Sequence, residues 1–75
     1  MRLPEDEVLA GERRAALLGA VNELPAPERT TVACRFILGL SELETAAVLD
    51  VPAGTVKSRL SRALQRLRER MAVEP

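Results

Sequence analysis

The sequence predicts an all-α fold, and three observations carry that prediction. Alanine and leucine are abundant while the one aromatic residue is Phe36, whereas sheets draw on β-branched and aromatic side chains. The five prolines stand at the edges of periodic segments rather than inside them. Between them, apolar residues recur at three- and four-residue spacing, the period of a helix with one buried face. A chain of 75 residues buries only about 60% of its unfolded surface, so a single small domain over residues 1–75 is expected, with little room for an enclosed active site.

Each helix has its own signals. Pro4 fits a first helical position, with Glu5, Asp6 and Glu7 where the helix dipole favours negative charge; the apolar pattern then runs through Val8, Ala15, Leu18 and Val21 to Leu24. This predicts helix one over about 4–24. Pro25-Ala26-Pro27 stops it and starts helix two, about 26–38, whose apolar face is expected from Thr30, Ala33 and Ile37 and above all from Val32, Phe36 and Leu40, with Gly39 as a left-handed cap. Ser41-Glu42-Leu43-Glu44 has the form of a capping box and opens helix three, about 42–49. Asp50-Val51-Pro52 breaks the chain before helix four, about 53–71. Two helices of unequal length across so short a turn predict a helix-turn-helix over 42–71, at the C-terminal end of a four-helix domain.

Charge supplies the functional clue. Residues 1–54 hold five basic and nine acidic side chains, net −4, while 55–71 hold Lys57, Arg59, Arg62, Arg66, Arg68 and Arg70 against Glu69, net +5; Glu74 completes a neutral total. A basic stripe on an otherwise acidic domain is the footprint expected for a phosphate-bearing partner, with a merely solvated face as the alternative. Successive residues of a helix turn by about 100°, which gathers Val56, Leu60, Ala63, Leu64, Leu67 and Met71 into one core-facing stripe. Ser58, Ser61, Arg62 and Gln65 then point away from the core, flanked by Lys57 and Arg68 on one side and Arg59, Arg66 and Arg70 on the other. Hydroxyls and long cations on such a face suit base edges in a DNA major groove, and Gly54 and Thr55 at the helix start suit a phosphate.

The residues from Leu24 to Met71, LPAPERTTVACRFILGLSELETAAVLDVPAGTVKSRLSRALQRLRERM, resemble region 4 of bacterial sigma factors, most closely the small extracytoplasmic-function group of the sigma-70 family. The most specific element is VPAGTVKSRL, from Val51 to Leu60, and Leu24-Pro25 with Gly39-Leu40-Ser41 extends the register. The resemblance implies a sequence-specific DNA-binding domain that places its last helix in the major groove of the promoter minus-35 element and docks on the β flap of RNA polymerase during transcription initiation. It implies base reading by Lys57, Ser58, Ser61 and Arg62 and phosphate contacts from Thr55, Arg59 and Arg66, with Arg35 on helix two as a further phosphate candidate. Its implied partners are double-stranded promoter DNA and the polymerase core, with an anti-sigma factor as an additional possibility; no strand melting is expected, since that belongs to region 2. Asp50 stands where the family's turn usually has glycine, and Asp tolerates the left-handed conformation. Thr45 puts a hydroxyl where the family packs a large aliphatic, and a small Ser61 leaves the base preference open.

Two other readings are the output domain of a two-component regulator, which shares the four-helix layout and a similar Thr-Val-Lys start to the reading helix, here Thr55-Val56-Lys57, and a protein-binding helical module using Leu17, Leu18, Val21 and Leu24 as its groove. An enzyme is not expected, because without histidine no Ser/His/Asp or Cys/His pair can form, and Gly54 alone makes no phosphate loop. Neither a metal nor a cofactor nor a small-molecule substrate is implied, and the lone Cys34 reads as a small buried side chain. No apolar run approaches the roughly 18 residues of a membrane span, and MRLPEDEVLA is too acidic for a signal peptide, so the expected address is cytoplasmic and the expected partners exclude a membrane.

Overall fold

The computed structural model describes residues 4–72 as helices joined by short turns: α1 (Pro4–Asn22), α2 (Ala26–Val32) continuing into a π-helical segment (Ala33–Ile37), α3 (Glu42–Leu49) and α4 (Ala53–Met71). The expectations placed on the Glu5 and Asp6 side chains and on Glu74 lie outside the described residues. The core is one small cluster of Ala20, Leu24, Val32, Val56, Leu60, Ala63 and Leu67, with Val21, Ala46 and Val51 packed against it. Four of those seven come from α4, which is therefore the spine on which the other helices rest. The Cα radius of gyration is 14.5 Å, against the roughly 11 Å of a spherical domain of this length. The excess comes from α1: all its residues from Glu7 to Gly19 are exposed except the half-buried Ala10, and only its last turns reach the core through Ala20 and Val21.

The turns are built by side chains and backbone together. Arg29 of α2 reaches back to donate to the carbonyls of Asn22 and Leu24 at 3.1 and 3.3 Å, satisfying acceptors that the end of α1 leaves open. Ser41 forms the capping box, its Oγ accepting from the Glu44 amide at 3.0 Å while its own amide donates to the Glu44 carboxylate at 2.7 Å. The Ser41 backbone amide first, and the Ser41 hydroxyl second, favour the ionised carboxylate and hold Glu44 below the usual carboxylate range. At the other end of α3, Asp50 adopts φ 58° and ψ 50°, and the Val51 amide bonds back to the Ala46 carbonyl at 3.0 Å, closing the helix in a Schellman-type turn. Gly39 makes the equivalent turn after the π-helical segment, with φ 72°.

Helix two differs from the expected pattern in shape and in facing. Its last turn is π-helical, with Leu38 bonded to the Ala33 carbonyl at 2.9 Å. Its buried side chains are Glu28, Thr31, Val32 and Cys34, whereas Phe36 and Ile37, expected in the core, are 58% and 65% exposed and Leu40 is half-buried. The reason lies across the interface: α4 presents arginines there, and they draw Glu28 inward. The small Thr31 follows, its hydroxyl satisfied by the Pro27 carbonyl at 2.7 Å. In α4 the core stripe is narrower than expected, since Leu64 and Met71 lie on its exposed margins. Thr45 is fully buried, and its hydroxyl has no hydrogen-bond partner among the described residues.

Candidate nucleic-acid interface

The exposed side of α4 is set by what its other side buries. Val56, Leu60, Ala63 and Leu67 are all in the core, so the helix cannot rotate without exposing them. That anchoring leaves Lys57, Ser58, Ser61 and Arg62 exposed on the outer surface, together with Gln65. Ser58 donates to the Thr55 carbonyl at 3.1 Å, which ties the hydroxyl to the first turn while leaving its oxygen able to accept. Thr55 and Arg59 are half-buried at the edge of this surface. The helix begins after Pro52, which offers no side-chain cap to the amides of its first turn. Those amides carry the positive end of the helix dipole at the same end of α4 as Lys57 and Ser58.

The cations of α4 fall into two groups. Glu28, only 6% exposed, receives two of them: Arg66 Nε lies 2.9 Å from Oε1, and Arg62 Nε lies 3.8 Å from Oε2. The Arg66 N–H is not aimed at Oε1, which has no hydrogen-bond partner among the described residues, so the contact is an attraction between charges rather than an aligned bond. Arg70 pairs with Glu23 near the end of α1. Lys57, Arg59 and Arg68 have no ion pair among the described residues. Arg35 stands apart from all of these: it donates to the Leu40 carbonyl, and its guanidinium lies 5.3 Å from the centre of the Phe36 ring.

Glu28 is the residue that sequence reasoning overlooked. A signal was present, because Glu28 lies one helical turn before Val32 within α2 and so shares its buried face. Among the described residues no cluster of metal-ligating side chains occurs, and no helix is long and apolar enough to cross a membrane. An open groove bounded by Leu24, Pro25, Arg66 and Arg70 lies between the end of α1 and the last turns of α4.

A four-helix domain whose last helix is anchored by one apolar stripe and offers hydroxyls and cations on the opposite side is a helix-turn-helix module. The family model described as sigma-70, region 4 matches residues 14–67, and the chain belongs to that family. It is 35% identical over 69 residues to the ECF RNA polymerase sigma factor SigW of Bacillus subtilis, covering 92% of this chain and 37% of that protein. It is 32% identical over 68 residues to the ECF RNA polymerase sigma-E factor of Haemophilus influenzae, covering 91% of this chain and 36% of that protein. It is also 45% identical over 67 residues to the RNA polymerase sigma-E factor of Streptomyces antibioticus, covering 89% and 37% respectively. The chain thus spans little more than a third of the length of these relatives. As a sigma region 4 domain it is a DNA-binding module and not an enzyme.

Proposed function

We propose that this domain recognises the minus-35 element of a promoter by laying the outer surface of α4 in the major groove, and so directs RNA polymerase to its start sites. The observation that carries the reading is the exposure of Lys57, Ser58, Ser61 and Arg62 on one surface backed by buried Val56, Leu60 and Ala63. Lys and Arg donate to guanine O6 and N7, and serine hydroxyls serve either donors or acceptors, so these four side chains read base edges. Thr55, Arg59 and Arg66 hold phosphates on the two sides of the groove. Arg35 is the least available of the phosphate candidates, since its guanidinium is engaged with the Leu40 carbonyl.

Protein partners take the apolar surfaces left uncovered. Phe36, Ile37, Leu38 and Leu43 are exposed around the turn between the π-helical segment and α3 and offer apolar area to the polymerase β flap. Leu17 and Leu18 on the projecting part of α1 offer a second surface, suited to an anti-sigma factor. A transcription role of this kind implies a cytoplasmic address. The test of the DNA reading is fluorescence anisotropy on a labelled duplex carrying a family-like minus-35 element and on a scrambled duplex, over a range of salt. Preference for the element with a steep salt dependence supports the reading, because each phosphate neutralised adds about 0.9 to the slope of log affinity against log salt. Equal binding to both duplexes would refute base reading by this face. Arg62→Ala is expected to cost about 1–3 kcal/mol at its own base pair, whereas Arg66→Ala weakens all duplexes alike and flattens the salt slope by about one.

A further inference from the structure

We infer that Glu28 is a positioning residue for DNA recognition: from helix α2 it holds the guanidinium groups of Arg62 and Arg66 at the margin of the reading surface, and thereby sets how strongly the domain prefers one sequence over another. The inference rests on the DNA-reading role proposed above for α4.

The geometry has four parts. Glu28 is carried by a different helix from the residues it contacts, and α2 packs along α4, so the carboxylate's place is set by the core rather than by a flexible arm. The carboxylate is almost fully buried, yet its partners are more than half exposed, with 58% of the Arg62 side chain and 54% of the Arg66 side chain open to solvent. In both pairs the nitrogen nearest the carboxylate is Nε rather than a terminal Nη, and the Nη groups are those with which a guanidinium meets a base or a phosphate in a fork. Finally, Arg62 and Arg66 are one helical turn apart, so a single carboxylate reaches both, one oxygen to each.

An ion pair that served stability alone would not need this arrangement. A buried carboxylate is costly unless well paired, and Glu28 has a charge contact of 2.9 Å with Oε1 unbonded and a second contact of 3.8 Å. Placing a negative charge beneath the reading surface of a domain that binds a polyanion also weakens its general attraction to DNA. Both costs are offset if the free arginine side chains would otherwise lose rotamer freedom only on meeting DNA; fixing them beforehand removes part of that loss and aims them at one register. Glu28 thus trades general affinity for discrimination.

The two effects have opposite signs, which makes the test sharp. In anisotropy titrations with the element and scrambled duplexes, Glu28→Gln keeps the size and a polar acceptor but removes the charge. It is expected to bind the scrambled duplex more tightly and to steepen the salt slope by up to about one, since an arginine charge is released, while its preference for the element falls by about threefold or more. Glu28→Asp keeps the charge but draws the carboxylate back by one methylene; it is expected to lose preference with its affinity for the scrambled duplex unchanged. Circular dichroism verifies that each variant is folded, and if Glu28→Gln does not fold, Glu28→Asp decides. A variant that is folded and retains the wild-type preference overturns the inference, as does parallel weakening on both duplexes with an unchanged slope, the signature of a purely structural residue. The DNA reading itself is judged on the wild-type domain: no preference there refutes that reading, and with it the role of Glu28 in recognition. Slowed exchange of the Arg66 Nε proton in the DNA-free domain, lost in Glu28→Gln, separately reports whether the carboxylate restrains the guanidinium.

Discussion

The two halves of α4 are built from the same residue types yet have different duties. In residues 53–61, Lys57 and Arg59 have no ion pair among the described residues, and Ser58 and Ser61 accompany them above the anchors Val56 and Leu60. In residues 62–71, Arg62, Arg66 and Arg70 succeed one another at four-residue spacing, and every one of them meets an acidic residue from elsewhere in the fold: Glu28 of α2 for the first two, Glu23 in the turn after α1 for the third. The cations of the first half have no ion pair among the described residues, whereas three of the second half fasten α4 to α2 and to the turn after α1. Residue type therefore does not decide what an arginine does on this helix. The acidic residues opposite decide it, and they arrive only when α1 and α2 have packed. Arg62 sits at the boundary and belongs to both halves, which makes it the residue through which packing can influence reading.

The sharpest way to break this comparison is to remove what both halves share. Leu60→Ala is expected to cost about 2–5 kcal/mol, enough to unfold a domain of ordinary marginal stability, and the helical circular dichroism signal should fall together with all DNA binding. Binding by a largely unfolded Leu60→Ala would show that the first half acts as an isolated basic helix. Next comes the pairing itself. Arg66→Ala leaves the buried Glu28 with only its longer contact and is expected to destabilise by about 1–3 kcal/mol, less than for a fully buried pair because Arg66 is half exposed to solvent. Arg68→Ala, without an ion pair among the described residues, should lie within about 0.5 kcal/mol of wild type in the same urea titration. Equal losses in the two variants would erase the distinction between paired and unpaired arginines.

Ser41→Ala probes a site away from both halves and is expected to cost about 1 kcal/mol through loss of the helix cap. Its pH dependence has a definite sign. The Glu44 carboxyl is held below its ordinary range in the folded state, so the capping contribution is present above the unfolded glutamate range and is lost as pH falls through the lower folded value. The difference in stability between wild type and Ser41→Ala should therefore shrink on acidification; a difference that stays constant down to low pH would show that the Glu44 carboxylate is idle in the cap. Smallest of all is Glu23→Gln. Its partner Arg70 and Glu23 itself are both more than half exposed, so a change of about 0–1 kcal/mol, diminishing with added salt, is expected from thermal melts.

Much of the architecture was legible because it rests on local chemistry. The capping box at Ser41 and Glu44, the left-handed residues Gly39 and Asp50 and the prolines at 25, 27 and 52 act within a few residues of themselves, and local pattern is sufficient to read such signals. The anchors Val56, Leu60, Ala63 and Leu67 were legible for a related reason: one strongly amphipathic helix has only one way to face a core. Helix two was misread because the same rule was applied where it fails. Its apolar residues Phe36 and Ile37 face outward and its Glu28 faces inward, since the surface it meets is lined by arginines of α4. The four-residue spacing of Glu28 from Val32 points to that facing, but the charge that draws the carboxylate inward lies on α4 and not on helix two.

The sequence by itself determined the helices, the capped ends of α3, the turn between α3 and α4 and the gathering of hydroxyls and cations on one side of α4, because each depends on backbone conformation and periodicity within a single segment. Only the tertiary structure decided which of those cations are tied down and by which carboxylate. Ion pairing between Glu28 and the pair Arg62 and Arg66 joins residues more than thirty positions apart, and charge attraction over a few ångströms exists only after the hydrophobic core has brought α2 against α4.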